Sequence, residues 1–168
     1  MRAFKTQRIS ITEFKELDIN SNYIGWLNDH SHMRYSNQRF KTHDEKTTLE
    51  YIKTFLDTSN KFFSIKSNSI LIGTLTLYFE GDGMAKGGIL IGTEHAGKGY
   101  GKETWKILVD EICPELKIKK LIAGTLSVNR AMLEVFEKTG MTFYEKLEKD
   151  EVYEETLSDE IIYQIKIS

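Results

Sequence analysis

The chain has one cysteine, Cys113, and one proline, Pro114, in 168 residues. A single thiol excludes an internal disulfide. Its place in an apolar helical pattern makes it a buried thiol of a reducing compartment rather than a nucleophile. No charged start runs into an apolar segment, so no secretory signal is expected. No stretch approaches the ~20 apolar residues that a membrane helix requires. The expected location is the cytoplasm. A basic excess is also missing: 23 Lys and Arg stand against 25 Asp and Glu, for a net charge of −2. That balance argues against a nucleic-acid partner. The cysteine and four histidines have no metal-ligand spacing, and no metal is expected. With no linker, repeat or low-complexity segment, residues 1–168 are expected to form a single domain.

What remains is an ordinary mixture of periods two and 3.6. The segment RISITEF alternates around Ile9 and Ile11 and reads as a strand. NYIGWLNDHSHMRYS reads as short helical pieces with Tyr23, Trp26 and Leu27 on one side. THDEKTTLEYIKTFL reads as a helix, with Thr42 and Glu45 at capping-box spacing and a Leu49, Ile52, Leu56 stripe. FFSIKS and ILIGTLTLYF form a hairpin about the NS pair, and the second is apolar on both faces, as a central strand must be. KGGILIGT follows as another strand. Trp105, Leu108, Val109 and Ile112 then mark a helix expected to end at Pro114. KKLIAGTL is a short strand, and Asn129, Met132, Leu133 and Phe136 mark a further helix with Gly140 as its C-terminal cap. MTFYEKL, a charged turn and IIYQIKI complete a β α α β β β α β α β β order, a mixed α/β sheet with packed helices.

Nine of the twelve glycines lie between Gly73 and Gly101, and three alternate in EHAGKGYGKE. Glycine is costly in regular structure, so this spacing implies a tight turn or a close approach to the backbone. The loop joins a buried strand to a helix, where free N–H groups and the helix dipole attract phosphate. Gly97, Gly99 and Gly101 let the backbone curl, and Lys98 and Lys102 add charge. A triphosphate loop is excluded, because Gly101-Lys102 is followed by Glu103 and Ala96 stands where its first glycine belongs. The dinucleotide fingerprint fails at Lys102.

GGILIGTEHAGKGYGKETWKILVDEI resembles the acyl-coenzyme A loop of the GNAT superfamily of N-acetyltransferases, and LIAGTLSVNRAMLEVFEKTGMTFYEK resembles its second conserved block. Together they cover about half the chain. The resemblance is to the branch of ribosomal-protein-alanine N-acetyltransferases and their small-molecule relatives. NYIGWLNDHSHMRYSNQRF resembles the start of bacterial members that acetylate amino sugars. The resemblance implies an α+β fold: a mixed, mostly antiparallel sheet of about seven strands, about four helices, and splayed central parallel strands. It implies acetyl-coenzyme A between GGILIGT and KKLIAGTL, its pyrophosphate on the Gly97–Lys102 loop that includes Tyr100, and its pantetheine on Leu90, Ile91, Gly92 and Asn129. The plainer role of Asn129 is an N-cap, and both can hold. Phe136 stands where many members carry a tyrosine that protonates the departing thiolate, and Met132 where the branch often has serine.

Direct attack of a primary amine on the thioester needs a proton acceptor but no protein nucleophile. Glu94 is the first candidate, with His95 beside it and Glu80 at the end of the preceding strand. Tyr78 and Tyr144 are candidate hydrogen-bond donors near the thioester, and the Ile91 N–H a candidate oxyanion donor. The N-terminal cluster of Trp26, Asn28, Asp29, Arg34, Tyr35 and Arg39 offers stacking and charge to an acceptor. The expected acceptor is a small molecule, first of all a nucleotide-linked amino sugar; the alternatives are a protein N-terminal amine and a catalytically silent acyl-coenzyme A-binding module. Monomer and homodimer both fit.

Overall fold

A computed structural model describes residues 1–153 and 156–168. Eight strands form one sheet in the order β1-β2-β3-β4-β5-β6-β8-β7. They are β1 (Phe4–Lys5), β2 (Ser10–Glu13), β3 (Lys61–Ser67), β4 (Ile70–Gly81), β5 (Met84–Ile91), β6 (Lys120–Leu126), β7 (Thr142–Tyr153) and β8 (Thr156–Lys166). The helices are α1 (Ser21–Asn28), α2 (Glu45–Lys53), α3 (Tyr100–Ile107), α4 (Cys113–Glu115) and α5 (Arg130–Lys138). This is the expected α+β architecture, with one more strand because β1 adds a two-residue pairing to β2.

Local rules explain most of these elements. Asn68 and Ser69 both take positive φ, 48° and 67°, as a two-residue hairpin turn between β3 and β4 requires. Gly140, at φ 86°, follows α5 as its C-terminal cap. Asn129 caps α5 by accepting the Met132 N–H. Two helix ends differ from expectation. α2 starts on Asp44, not Thr42, because the Asp44 carboxylate accepts the Thr47 N–H at 2.7 Å and Thr47 Oγ1 accepts the Asp44 N–H. Its inward residues are Thr48, Ile52 and Phe55, while Leu56 is 61% exposed. The α3 helix also continues past Pro114. A π turn over Leu108–Ile112 widens the coil and leads into α4, whose first turn holds the proline where no amide donor is needed.

Two apolar clusters sit on opposite faces of the sheet. One packs α3 and α5 through Trp105, Leu108, Ile112 and Phe136. The other packs the α1–α2 region through Tyr23, Trp26, Ile52 and Phe55 against Phe62 and Leu71. Cys113 belongs to the first cluster, and burial pushes its thiol up to about 12. IIYQIKI forms a strand, as its alternation implies. It is paired on both sides, with β6 and β7, so β7 forms the edge. The charged turn expected between MTFYEKL and IIYQIKI is mostly strand instead, since β7 runs on to Tyr153 and β8 already begins at Thr156; residues 154–155 of that segment lie outside the described residues.

Candidate active site

The sheet opens at its centre. β5 and β6 pair in parallel at only three positions, Met84–Lys120, Ala85–Leu121 and Lys86–Ile122. Beyond Lys86 and Ile122 no further pairs form, and each strand is held only by its outer neighbour. Gly87, Gly88, Leu90, Gly124 and Thr125 on these diverging strands line a cavity of about 710 Å³. Its floor is Trp105 and Phe136, and α2 and the segment after α1 cover it.

Backbone alternation decides which groups of β5 face the opening. The Gly92 N–H donates to the Ile72 carbonyl of β4 at 2.8 Å. Even-numbered residues therefore turn their polar groups to β4, and Ile89 and Ile91 turn theirs to the cleft. Of Leu90, Ile91 and Gly92, Ile91 alone offers its backbone there; Leu90 contributes a side chain to the wall. Gly92 serves packing instead, since a Cβ there would lie 2.2 Å from the Trp26 indole.

The glycine loop follows a short turn, Thr93–His95, and enters α3 through Gly99. Gly97 and Gly99 have φ of 74° and 83°, the region that favours glycine. Gly101 has a negative φ and open space; a Cβ there would meet only Ile91 Cγ1 at 3.9 Å. The first hydrogen-bonded amide of α3 is that of Glu103, to the Gly99 carbonyl. The amides of Tyr100, Gly101 and Lys102 are thus the free donors of a helix N-terminus. Lys102 is exposed beside them, whereas Lys98 folds back, its ammonium donating to the Glu94 carbonyl at 2.8 Å. Arg8 was missed by sequence reasoning. It reaches from the β1–β2 turn to donate to the Lys98 carbonyl at 2.7 Å, pair with Glu103 at 3.3 Å and cover the Tyr100 ring. No local pattern links Arg8 to residues ninety positions away.

The remaining candidates divide. Asn129 caps α5 as expected, lines the cavity and donates to Thr125 Oγ1 at 2.9 Å. Phe136 lines it too, wedged between Trp105 and Tyr163. Tyr35 is in the wall; Tyr78 is outside it, sharing a 2.7 Å hydrogen bond with Tyr51, which is inside. Burial pushes the Tyr23 and Tyr51 hydroxyls well above the ordinary phenol range.

Several candidates are not brought to the cavity. Glu94 accepts the Trp26 indole N–H at 2.8 Å and is not in the wall. Partial burial works to raise its pKa, but its own backbone N–H, the Trp26 N–H and the nearby His95 and His32 rings prevail and lower it. A carboxylate held low is a weak base. Glu80 is exposed at the bulge before the Gly81–Gly83 turn, at the paired end of β5. Tyr144 lies on edge strand β7, two strands beyond the opening, under the Lys120 ammonium. Trp26 is buried under Gly92, and Asn28 clamps the His43 backbone with two hydrogen bonds of 2.7 and 2.8 Å. Arg34 and Arg39 lie outside the wall, with their guanidinium groups over Tyr35 and Phe40.

A sheet split between parallel strands, with a glycine-lined cleft leading to a free helix N-terminus, defines an acyl-coenzyme A-dependent transferase. Residues 8–142 match the acetyltransferase (GNAT) domain, and the chain belongs to that family. It is an acetyl-coenzyme A-dependent N-acetyltransferase. The fold is similar to that of a ribosomal L7/L12 alpha-N-protein acetyltransferase solved with coenzyme A (12% identity, 99% of this chain and 98% of that one, TM-score 0.89). It is also similar to a microcin C7 self-immunity acetyltransferase with acetyl-coenzyme A and AMP (15%, 96% and 94%, 0.83). A third similar structure is a spermidine N-acetyltransferase from Vibrio cholerae with coenzyme A and spermine (18%, 96% and 97%, 0.84). No curated protein matches the chain by sequence. Among the described residues no helix is long and apolar enough to cross a membrane.

Proposed function

We infer that the acceptor is a primary amine of a small molecule that also carries an anion, with a nucleotide-linked amino sugar first. One observation carries this reading: among the described residues, no Asp or Glu lines the cavity, while the cation Lys41 does. A polyamine or a basic peptide would find no counter-charge in such a wall, and a phosphate would. Tyr23, Tyr35 and Tyr51 supply aromatic surface for a sugar or base. The expected arginines are replaced in this role by Lys41. The solved relative bound to AMP supports a nucleotide in this fold.

In the reaction so read, Tyr100, Gly101 and Lys102 hold the pyrophosphate through their amides, Lys102 adds charge, and Asn129 and the Ile91 backbone hold the pantetheine. The Ile91 N–H also faces the place where the oxyanion develops. The amine attacks the thioester carbonyl directly. The reaction is read as cytoplasmic, where Cys113 stays reduced.

Free-thiol release from acetyl-coenzyme A, measured against amino-sugar nucleotides, peptides with free N-termini and polyamines, tests the acceptor. Turnover is expected on the nucleotide sugars, with K41A raising their KM. Efficient turnover of spermidine or a peptide, with none on nucleotide sugars, would overturn the reading. Coenzyme A binding without turnover of any amine would favour a silent binding module.

A further inference from the structure

Two buried polar atoms in the cavity wall have no hydrogen-bond partner: His32 Nε2 and Thr48 Oγ1. An unpaired buried polar group costs about 1–3 kcal/mol. A fold that retains two in one cavity implies a ligand that pairs with them. Thr48 is only 2% exposed, and its hydroxyl does not bond back along α2. The His32 main chain is held from behind: its backbone N–H donates to Asp29 Oδ1 at 3.1 Å, and the next residue, Met33, is buried.

The other histidines are unlike it. The Nε2 of His43 is 3.1 Å from the Gln38 carbonyl, so it carries a proton and donates. The Nε2 of His95 lies 3.6 Å from Glu94 Oε1. His30 is exposed. The titratable groups around His32 are Asp29 in its own turn, Glu94 after β5 with His95 beside it, and Lys41, His43 and Tyr51 in the same cavity wall. Glu94 is close enough for its charge to couple to the His32 ring.

We propose that His32 is the proton acceptor for the amine, with Thr48 hydrogen-bonding the same nitrogen and Glu94 steadying the imidazolium from outside the wall. The proposal rests on the reading of the cavity as the acceptor site. The acceptor arrives as R–NH3⁺. Nε2, unprotonated with its hydrogen on Nδ1, takes one proton. The freed nitrogen pair forms the N–C bond to the thioester carbonyl carbon. The C–S bond breaks with its electron pair on sulfur. The second proton lost by nitrogen goes to that sulfur, so acetamide and free thiol form, and the imidazolium returns its proton to water. The balance closes without a phenol at position 136.

The test uses the full chain, acetyl-coenzyme A and two small primary amines of different basicity, ethylamine and 2,2,2-trifluoroethylamine, read as free-thiol release. Near neutral pH the first is almost wholly ammonium and the second already neutral. H32Q is expected to lose about 10²-fold or more in kcat/KM on ethylamine, the scale of general-base catalysis, and little on trifluoroethylamine. Equal losses on both would mark a structural role and overturn the assignment. Long-range ¹H–¹⁵N NMR reads the ring without turnover. The expected state is a bare Nε2, and an Nε2–H tautomer overturns the proposal. T48V is expected to raise KM more than it lowers kcat, and an unchanged KM removes Thr48 from the proposal. Neither amine is a nucleotide sugar, so failure of the acceptor panel leaves this test standing.

Discussion

Asp18 shows how a single side chain couples this fold to pH. It is 4% exposed and is held by the Lys66 ammonium at 2.5 Å, the Ser64 hydroxyl and the Lys15 N–H. Burial pushes its pKa up, but the Lys66 and Ser64 hydrogen bonds, the Lys15 amide and the Lys66 charge outweigh it and the net direction is down. A carboxyl lowered on folding stabilises the native state above its unfolded value of about 3.9, and that contribution is lost as pH falls through the folded value. D18N is therefore expected to lower stability at pH 7 by about 1–3 kcal/mol, less than for a wholly buried pair because Lys66 is 23% exposed. The difference should shrink in urea melts carried out as pH drops below 4. A pH-independent difference would show that the charge is immaterial. Gly92 is the second sensitive residue. Gly92→Ala places a methyl on the Trp26 indole and disturbs its bond to Glu94, at a cost of about 1–3 kcal/mol. Neither pairing is legible in sequence, because 46 and 68 positions separate the partners.

At the scale of elements, signals written in neighbouring residues were legible and signals written across the fold were not. The α3 stripe, the NS turn, the Asn129 cap and the glycine loop depend on spacings of a few residues, and each formed as expected. Thr42 lost the α2 cap to Asp44, a contest between two good caps that spacing alone does not decide. Pro114 failed to stop the helix because a π turn precedes it, and no periodicity announces one. Glu80 was placed wrongly because the end of β4 faces the start of β5, where β5 is still paired with β6, and Tyr144 because chain order does not give sheet order. Strand β8 inserts between β6 and β7 and carries Tyr144 to the edge. His32, Lys41 and Thr48 reach the cavity from segments that read only as helix and loop. The loop itself yields a prediction. Gly99 sits at φ 83°, so Gly99→Ala is expected to cost about 1–2 kcal/mol in stability. It should also weaken acetyl-coenzyme A binding in calorimetry, because the α3 amides would no longer present one concave face. Gly101→Ala, with its negative φ and open space, should leave stability within about 0.5 kcal/mol.

Over the whole molecule, the sheet is two sheets joined at a narrow waist. β1 to β5 and β6 to β8 meet through three parallel pairs only, and the opening beyond them runs along the amides of Ile89 and Ile91. In the binding mode proposed above, acetyl-coenzyme A would touch both halves and add to their cohesion. At about 100 times its Kd it should stabilise the fold by roughly 2.7 kcal/mol. That global gain slows every amide that exchanges through full unfolding and cannot locate the ligand. The local pattern can. The amides of Leu90 and Gly92 already point to β4, and those of Ile89 and Ile91 point into the cleft without a partner strand. Hydrogen exchange followed residue by residue should show Ile89 and Ile91 exchanging fast in the free protein and protected on addition of acetyl-coenzyme A. Leu90 and Gly92 should be slow throughout and gain only the global increment. An alternation of period two on one strand, confined to its cleft edge, is the signature of a ligand hydrogen-bonded as an extra strand. Uniform protection along β5 would instead mean that binding closes the sheet, with β6 moving in to pair where the structure leaves it apart.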